Sequence, residues 1–115
     1  MGDTPDKKEL QNRYKEREIV GGIYAIKNML NNKVFLEAAT DLRGIRNRFE
    51  FAQQTGSCIH VKLQRDWDKH GGGQFVFEVL EELHKGDTQT AEEFKADIML
   101  LKEMWLENLS STEFY

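Results

Sequence analysis

The chain has little of what would place it in a membrane, in an oxidising compartment or at a metal centre. No apolar run approaches the ~20 residues that a bilayer-spanning helix needs. The N-terminus is polar and mixed in charge, without the apolar core of a signal peptide. Asp6 stands where a myristoylation signal has Ser or Thr, which argues against a lipid anchor. The single cysteine, Cys58, permits no internal disulfide and fits a reducing interior. His60, His70 and His84 lack metal-ligand spacing, and Cys58 has no partner at a useful distance in sequence, which excludes a zinc site. The expectations are therefore a cytoplasmic protein with no membrane partner, no metal site and no resident cofactor.

Positive charge is also scarce, and it is unevenly spread. Residues 1 to 23 are balanced, residues 24 to 70 carry eight basic and five acidic groups for a net +3, and residues 71 to 115 carry three and ten for a net −7. A nucleic-acid interface needs cations facing phosphate, because counterion release supplies most of the non-specific affinity. Only the middle third offers that face, through Arg43, Arg46, Arg48, Lys62, Arg65 and Lys69. The same six residues read equally well as the solvated faces of amphipathic helices.

What is present is a single domain's worth of chain. With 115 residues, 39% of them hydrophobic and 31% charged, it can form a self-sufficient core. Thr4-Pro5 reads as a helix cap followed by proline at the first helical position, opening a charged arm over residues 1 to 18. Ile23 to Lys27 and Lys33 to Glu37 are β-rich runs joined through Asn31-Asn32, a residue type that tolerates positive φ, and so predict a hairpin. Thr40-Asp41 caps a helix to about Gln54, with Leu42, Ile45, Phe49 and Ala52 on one face. A further helix, about Ile59 to His70, carries Leu63 and Trp67 inward and ends at Gly71-Gly72-Gly73. The Phe- and Val-rich run from Gln74 to Glu81 predicts a strand central enough to be covered on both faces. A last helix from about Thr90 to Leu109 repeats Phe94, Ile98, Leu101 and Trp105 at helical spacing. Residues 110 to 115 read as a polar, frayed tail. The predicted architecture is an α/β (α+β) domain over 19 to 109, with a small three-stranded, mostly antiparallel sheet flanked by helices.

Gly22-Ile23-Tyr24, followed by the hairpin and Phe35-Leu36-Glu37, resembles the signature of the GIY-YIG endonuclease superfamily, a Gly-Ile-Tyr, a hairpin and a Tyr-Ile-Gly. The run Lys62 to Gly71, the strand Phe77-Glu78-Val79-Leu80-Glu81 and the helix end Met104-Trp105-Leu106 extend the likeness over about Gly22 to Leu109. The wording is similar to the nuclease domains of phage homing endonucleases.

The resemblance implies strand scission by two signature tyrosines, an arginine and a histidine on the following helix, and a glutamate on the last helix that binds magnesium. Of these positions only Tyr24 is retained. The second tyrosine falls on Phe35, the arginine on Ile45, the histidine on Phe49 and the glutamate on Lys102, while Glu37 replaces a signature glycine. Arg46 and Glu103 lie one residue from the lost positions. On a helix one residue is a rotation of ~100°, which is expected to turn them from the hairpin. Two outcomes are open: a non-cleaving member kept as a binding or assembly module, meeting nucleic acid, another protein or its own copy; or an active metal-dependent endonuclease, in which case magnesium is required.

Overall fold

A computed structural model of the chain describes residues 19–109 and 111–115. The arm expected over residues 1 to 18 lies outside the described residues. Three strands, β1 (Val20–Asn28), β2 (Val34–Ala39) and β3 (Phe75–His84), form one antiparallel sheet in the order β2-β1-β3. Helices α1 (Leu42–Thr55) and α2 (Val61–His70) join β2 to β3, and α3 (Ala91–Asn108) follows β3. The α+β class and the three-stranded antiparallel sheet expected from the sequence are thus what the chain forms.

β1 is the central strand, and its sequence shows why. Ile23, Tyr24, Ala25 and Ile26 are all buried, a continuous apolar run that suits a strand with protein on both faces. On one face Tyr24 and Ile26 pack with Phe35, Leu42, Phe49, Leu63, Trp67 and Phe75 beneath α1 and α2. On the other, Ile23 and Leu36 meet Phe94 and Ile98 of α3. Gly22 makes the close pairing with β3 possible: its φ is +150°, and a Cβ there would stand 2.0 Å from the Glu81 carbonyl oxygen. A β-bulge follows between Ile23 and Tyr24 in the β1–β3 register. It turns two successive β3 residues toward α3, where Leu80 joins the apolar cluster and the Glu81 carboxylate accepts the Trp105 indole N–H at 2.9 Å.

Local chemistry sets the helix ends. Asp41 caps α1, accepting from the Gly44 amide at 3.1 Å, and Gly56 closes it with φ +80°. Thr90 and Glu93 form a reciprocal capping box at the start of α3. α2 ends against Gly72, where a Cβ would stand 2.4 Å from the Trp67 ring. Among the described residues no helix is long and apolar enough to cross a membrane.

Two expectations need correction. The strand read as central is β3, an edge strand; its apolar richness arises because Phe75, Phe77 and Val79 face one helical layer while Leu80 and Leu83 face the other. The tail is not frayed. Phe114 makes a parallel bridge with Val34 on the outer edge of β2, and Tyr115 crosses to the hairpin turn. There the fully buried Asn28 donates from Nδ2 to the Tyr115 hydroxyl at 3.0 Å, and that hydroxyl donates to Asp66 at 2.7 Å. The hairpin itself forms as expected, with Asn32 at φ +62°.

Tyr115→Phe removes the acceptor from a buried amide and is expected to cost about 1–2 kcal/mol. Urea unfolding read by tryptophan fluorescence checks this; an unchanged midpoint would show that the tail is not docked.

Candidate functional site at the signature hairpin

Tyr24 sits on β1 with its ring stacked on Phe77 at 5.1 Å between centroids, and it is almost fully buried. Its hydroxyl finds a partner far away in sequence: His60 Nε2, at 2.8 Å. His60 is the residue immediately before α2 and does not cap that helix with its side chain. Its ring lies instead on Phe35 at 4.4 Å between centroids. Burial pushes the Tyr24 phenol well above its usual range, and the Glu37 carboxylate adds to the rise. Burial likewise holds the His60 imidazole below its ordinary value, against the opposing pull of Glu37. The Tyr24 hydroxyl both donates and accepts, so the tautomer of His60 sets the direction of this bond.

Glu37 lies opposite Tyr24 in the β1–β2 register, on the edge strand. Its carboxylate accepts from the Lys102 ammonium of α3 at 2.7 Å and from the Ala38 amide at 2.9 Å. Because Glu37 shares the Tyr24 side of the sheet and α3 covers the other side, the pair closes around the free edge of β2. Partial burial works to raise the Glu37 carboxyl. The hydrogen bonds from Lys102 and Ala38, with the charges of Lys102 and His60, outweigh it and leave the group below the usual carboxylate value.

No family profile matches the chain. It is 36% identical over 93 residues to "Intron-associated endonuclease 1" of Enterobacteria phage T4, an alignment covering 78% of this chain and 33% of that protein's length. Two solved structures superpose on it. The catalytic domain of the homing endonuclease I-TevI is 31% identical, covers 82% of this chain and 96% of its own, and gives a TM-score of 0.57. A point mutant of the same catalytic domain is 34% identical, covers 80% and 86%, and gives a TM-score of 0.57. The chain belongs to the GIY-YIG endonuclease superfamily.

Within this GIY-YIG fold the family positions can now be located. Phe35 and Phe49 are buried and Ile45 half-buried, all packed in the core beneath α1 and α2. Lys102, at the position where the resemblance implies a metal-binding glutamate, has its ammonium on Glu37. The residues present do not reproduce the family's single-glutamate ligand: an ammonium stands at that position, and Glu37, opposite Tyr24, is already paired with it. Glu103 is exposed on α3. Arg46 departs from expectation. Its guanidinium lies over the Phe77 ring at 5.6 Å, so the length of the side chain brings it back to the sheet despite the helical rotation.

The remaining cations of the expected patch are all exposed, Arg43 and Arg48 on α1 and Lys62, Arg65 and Lys69 on α2. His60 is the residue that sequence reasoning missed. Only metal-ligand spacing was tested for it, and its contact with Tyr24 spans 36 positions, so no local signal marks it.

Two measurements test this geometry. A histidine whose folded value lies below its unfolded 6.5 binds protons more readily when unfolded, so stability falls as pH drops below about 6.5. Glu37, depressed in the fold, contributes stability above 4.5 that is lost as pH falls through its folded value. His60→Gln, which keeps a polar partner for Tyr24, is expected to flatten the upper limb of a stability–pH curve and leave the lower limb in place.

The side chains of Lys102 and Glu37 are 22% and 34% exposed. A double-mutant cycle with Lys102→Met and Glu37→Gln is expected to return a coupling of roughly 0.5–1 kcal/mol. Zero coupling would remove the ion pair from the account.

Proposed function

We propose that this GIY-YIG domain is a non-cleaving member of its superfamily that binds nucleic acid. The observation that carries the reading is the 2.7 Å pair between Lys102 and Glu37. Phosphodiester cleavage of the family's kind needs a metal-bound water and a cation at the scissile phosphate. Here an ammonium fills the metal's place, and it is neutralised by a carboxylate of the same chain. Ile45 and Phe49 add apolar surface where an arginine and a histidine would act. Nucleic acid is favoured as the partner because the relatives are named as intron and homing endonucleases and the middle third of this chain is cationic. The chain spans about a third of the curated relative it matches, so the activity of that whole protein is not carried over with the domain.

One observation favours the active-enzyme alternative: Tyr24 retains its hydroxyl and has gained an imidazole partner with a carboxylate nearby. Incubating purified protein with supercoiled plasmid and Mg²⁺ or Mn²⁺ separates the two. The proposal expects no nicking, with Tyr24→Phe indistinguishable from the parent. Nicking that disappears in Tyr24→Phe would establish the enzyme instead. Binding to labelled DNA is expected to weaken steeply with salt, and salt-independent retention would count against a phosphate contact.

A further inference from the structure

The C-terminal third has only three cations, Lys85, Lys95 and Lys102, within its net −7. Its acidity argued against any phosphate-facing role. The fold nonetheless brings two of them, Lys85 and Lys95, to one cavity beside the β2–α1 turn. Lys102 meets Glu37, while Lys85 and Lys95 line a cavity of ≈ 1060 Å³ together with Arg43. Ile19, Val20, Ala91 and Phe94 contribute apolar lining. A second cavity of ≈ 390 Å³ shares Thr40, Asp41, Gly44 and Lys95 with the first. It runs on past Arg48 to Ala38 and Ile45, at the margin of the signature site. Together the two make a groove over the β2–α1 turn.

Arg43, Arg48, Lys85 and Lys95 make no ion pair among the described residues. Two carboxylates share the groove. Asp41 is engaged by the Gly44 amide as the α1 cap, and Glu92 stands on the first turn of α3. Four uncommitted cations against these two acids favour an anion. Apolar side chains interspersed with these cations in the lining favour one that carries a flat apolar body beside each charge. A nucleotide has that form, and a run of nucleotides follows a groove that continues from one cavity to the next. A duplex does not suit it, because paired bases keep their faces stacked and out of reach of Ile19, Val20 and Ala91.

The geometry points to a single-stranded nucleic acid in this groove, with phosphates on Arg43, Lys85, Lys95 and Arg48 and an unpaired base over Ile19 and Val20. This rests on the nucleic-acid reading above and assigns it a surface. The surface differs from the α2 face of Lys62, Arg65 and Lys69, none of which lines either cavity.

The test is fluorescence anisotropy with a labelled oligodeoxythymidine of ~10 nucleotides and a duplex of the same length, at low and at moderate salt. Lys85→Glu, Lys95→Glu and Arg43→Glu are each expected to weaken single-strand binding about tenfold and to lower the salt slope by about 1. Lys62→Glu and Lys69→Glu are expected to leave it within about twofold. Photo-cross-linking of a 4-thiothymidine oligonucleotide, mapped by mass spectrometry, gives a readout independent of substitution, and adducts are expected at 19–20 or 91–95. Weakening by the α2 substitutions alone, or duplex bound as tightly as single strand, would overturn the groove and leave nucleic-acid binding standing. Failure to bind either oligonucleotide at low salt would bring down the nucleic-acid reading itself.

Discussion

The burial of β1 on both faces is the constraint from which the rest of the structure follows. A strand covered above and below must be apolar along its length and must approach its neighbours closely, and Gly22-Ile23-Tyr24-Ala25-Ile26 meets both demands. With β1 in the middle, Tyr24 is driven under α1 and α2 among aromatic rings, where burying an ionised phenol would be costly. Its hydroxyl still needs a partner, and His60 supplies one from the start of α2. β2 is left as an edge, and an edge can be rounded by a long side chain, which is how Lys102 reaches Glu37 from the opposite layer.

The substitutions at the family positions make physical sense as a set. Removing an arginine and a histidine from α1 leaves Ile45 and Phe49 to complete the apolar contact with the sheet. Placing an ammonium at the metal-ligand position would strand an uncompensated charge, partly withdrawn from water, if Glu37 did not stand where the signature has glycine. Carboxylate and cation are both still present, but the carboxylate now comes from a strand and the cation is covalently part of the chain. A divalent ion on Glu37 would have to displace the Lys102 ammonium, which is part-exposed, so the coupling to be overcome is modest.

Much of this was legible in the sequence, and the part that was not has a common cause. Apolar spacing located α1, α2 and α3, Asn31-Asn32 located the hairpin turn, and Thr40-Asp41 and Thr90 marked helix starts, because each is a local property of the chain. Whether the Phe- and Val-rich run of β3 sat at the centre or the edge of the sheet was not local, since an edge strand with helices on both faces has the same composition. The tail looked frayed because its polar residues carry no periodicity, while its anchor, Tyr115, depends on a buried Asn28 that lies 87 positions away. Tyr24 with His60, and Glu37 with Lys102, are likewise pairs made by the path of the chain. The lysines of the acidic third are averaged into its net charge, which hides that Lys85 and Lys95 line one cavity.

The central claim is that an internal ion pair has taken the place of the family's metal. Titrating Mn²⁺ into isotope-labelled protein and following the backbone signals of Tyr24, Glu37, Ala38 and Lys102 addresses it directly, because a bound paramagnetic ion broadens nearby resonances selectively. The account predicts no preferential broadening at these four residues over other exposed carboxylates. Saturable broadening centred on Glu37 would contradict it.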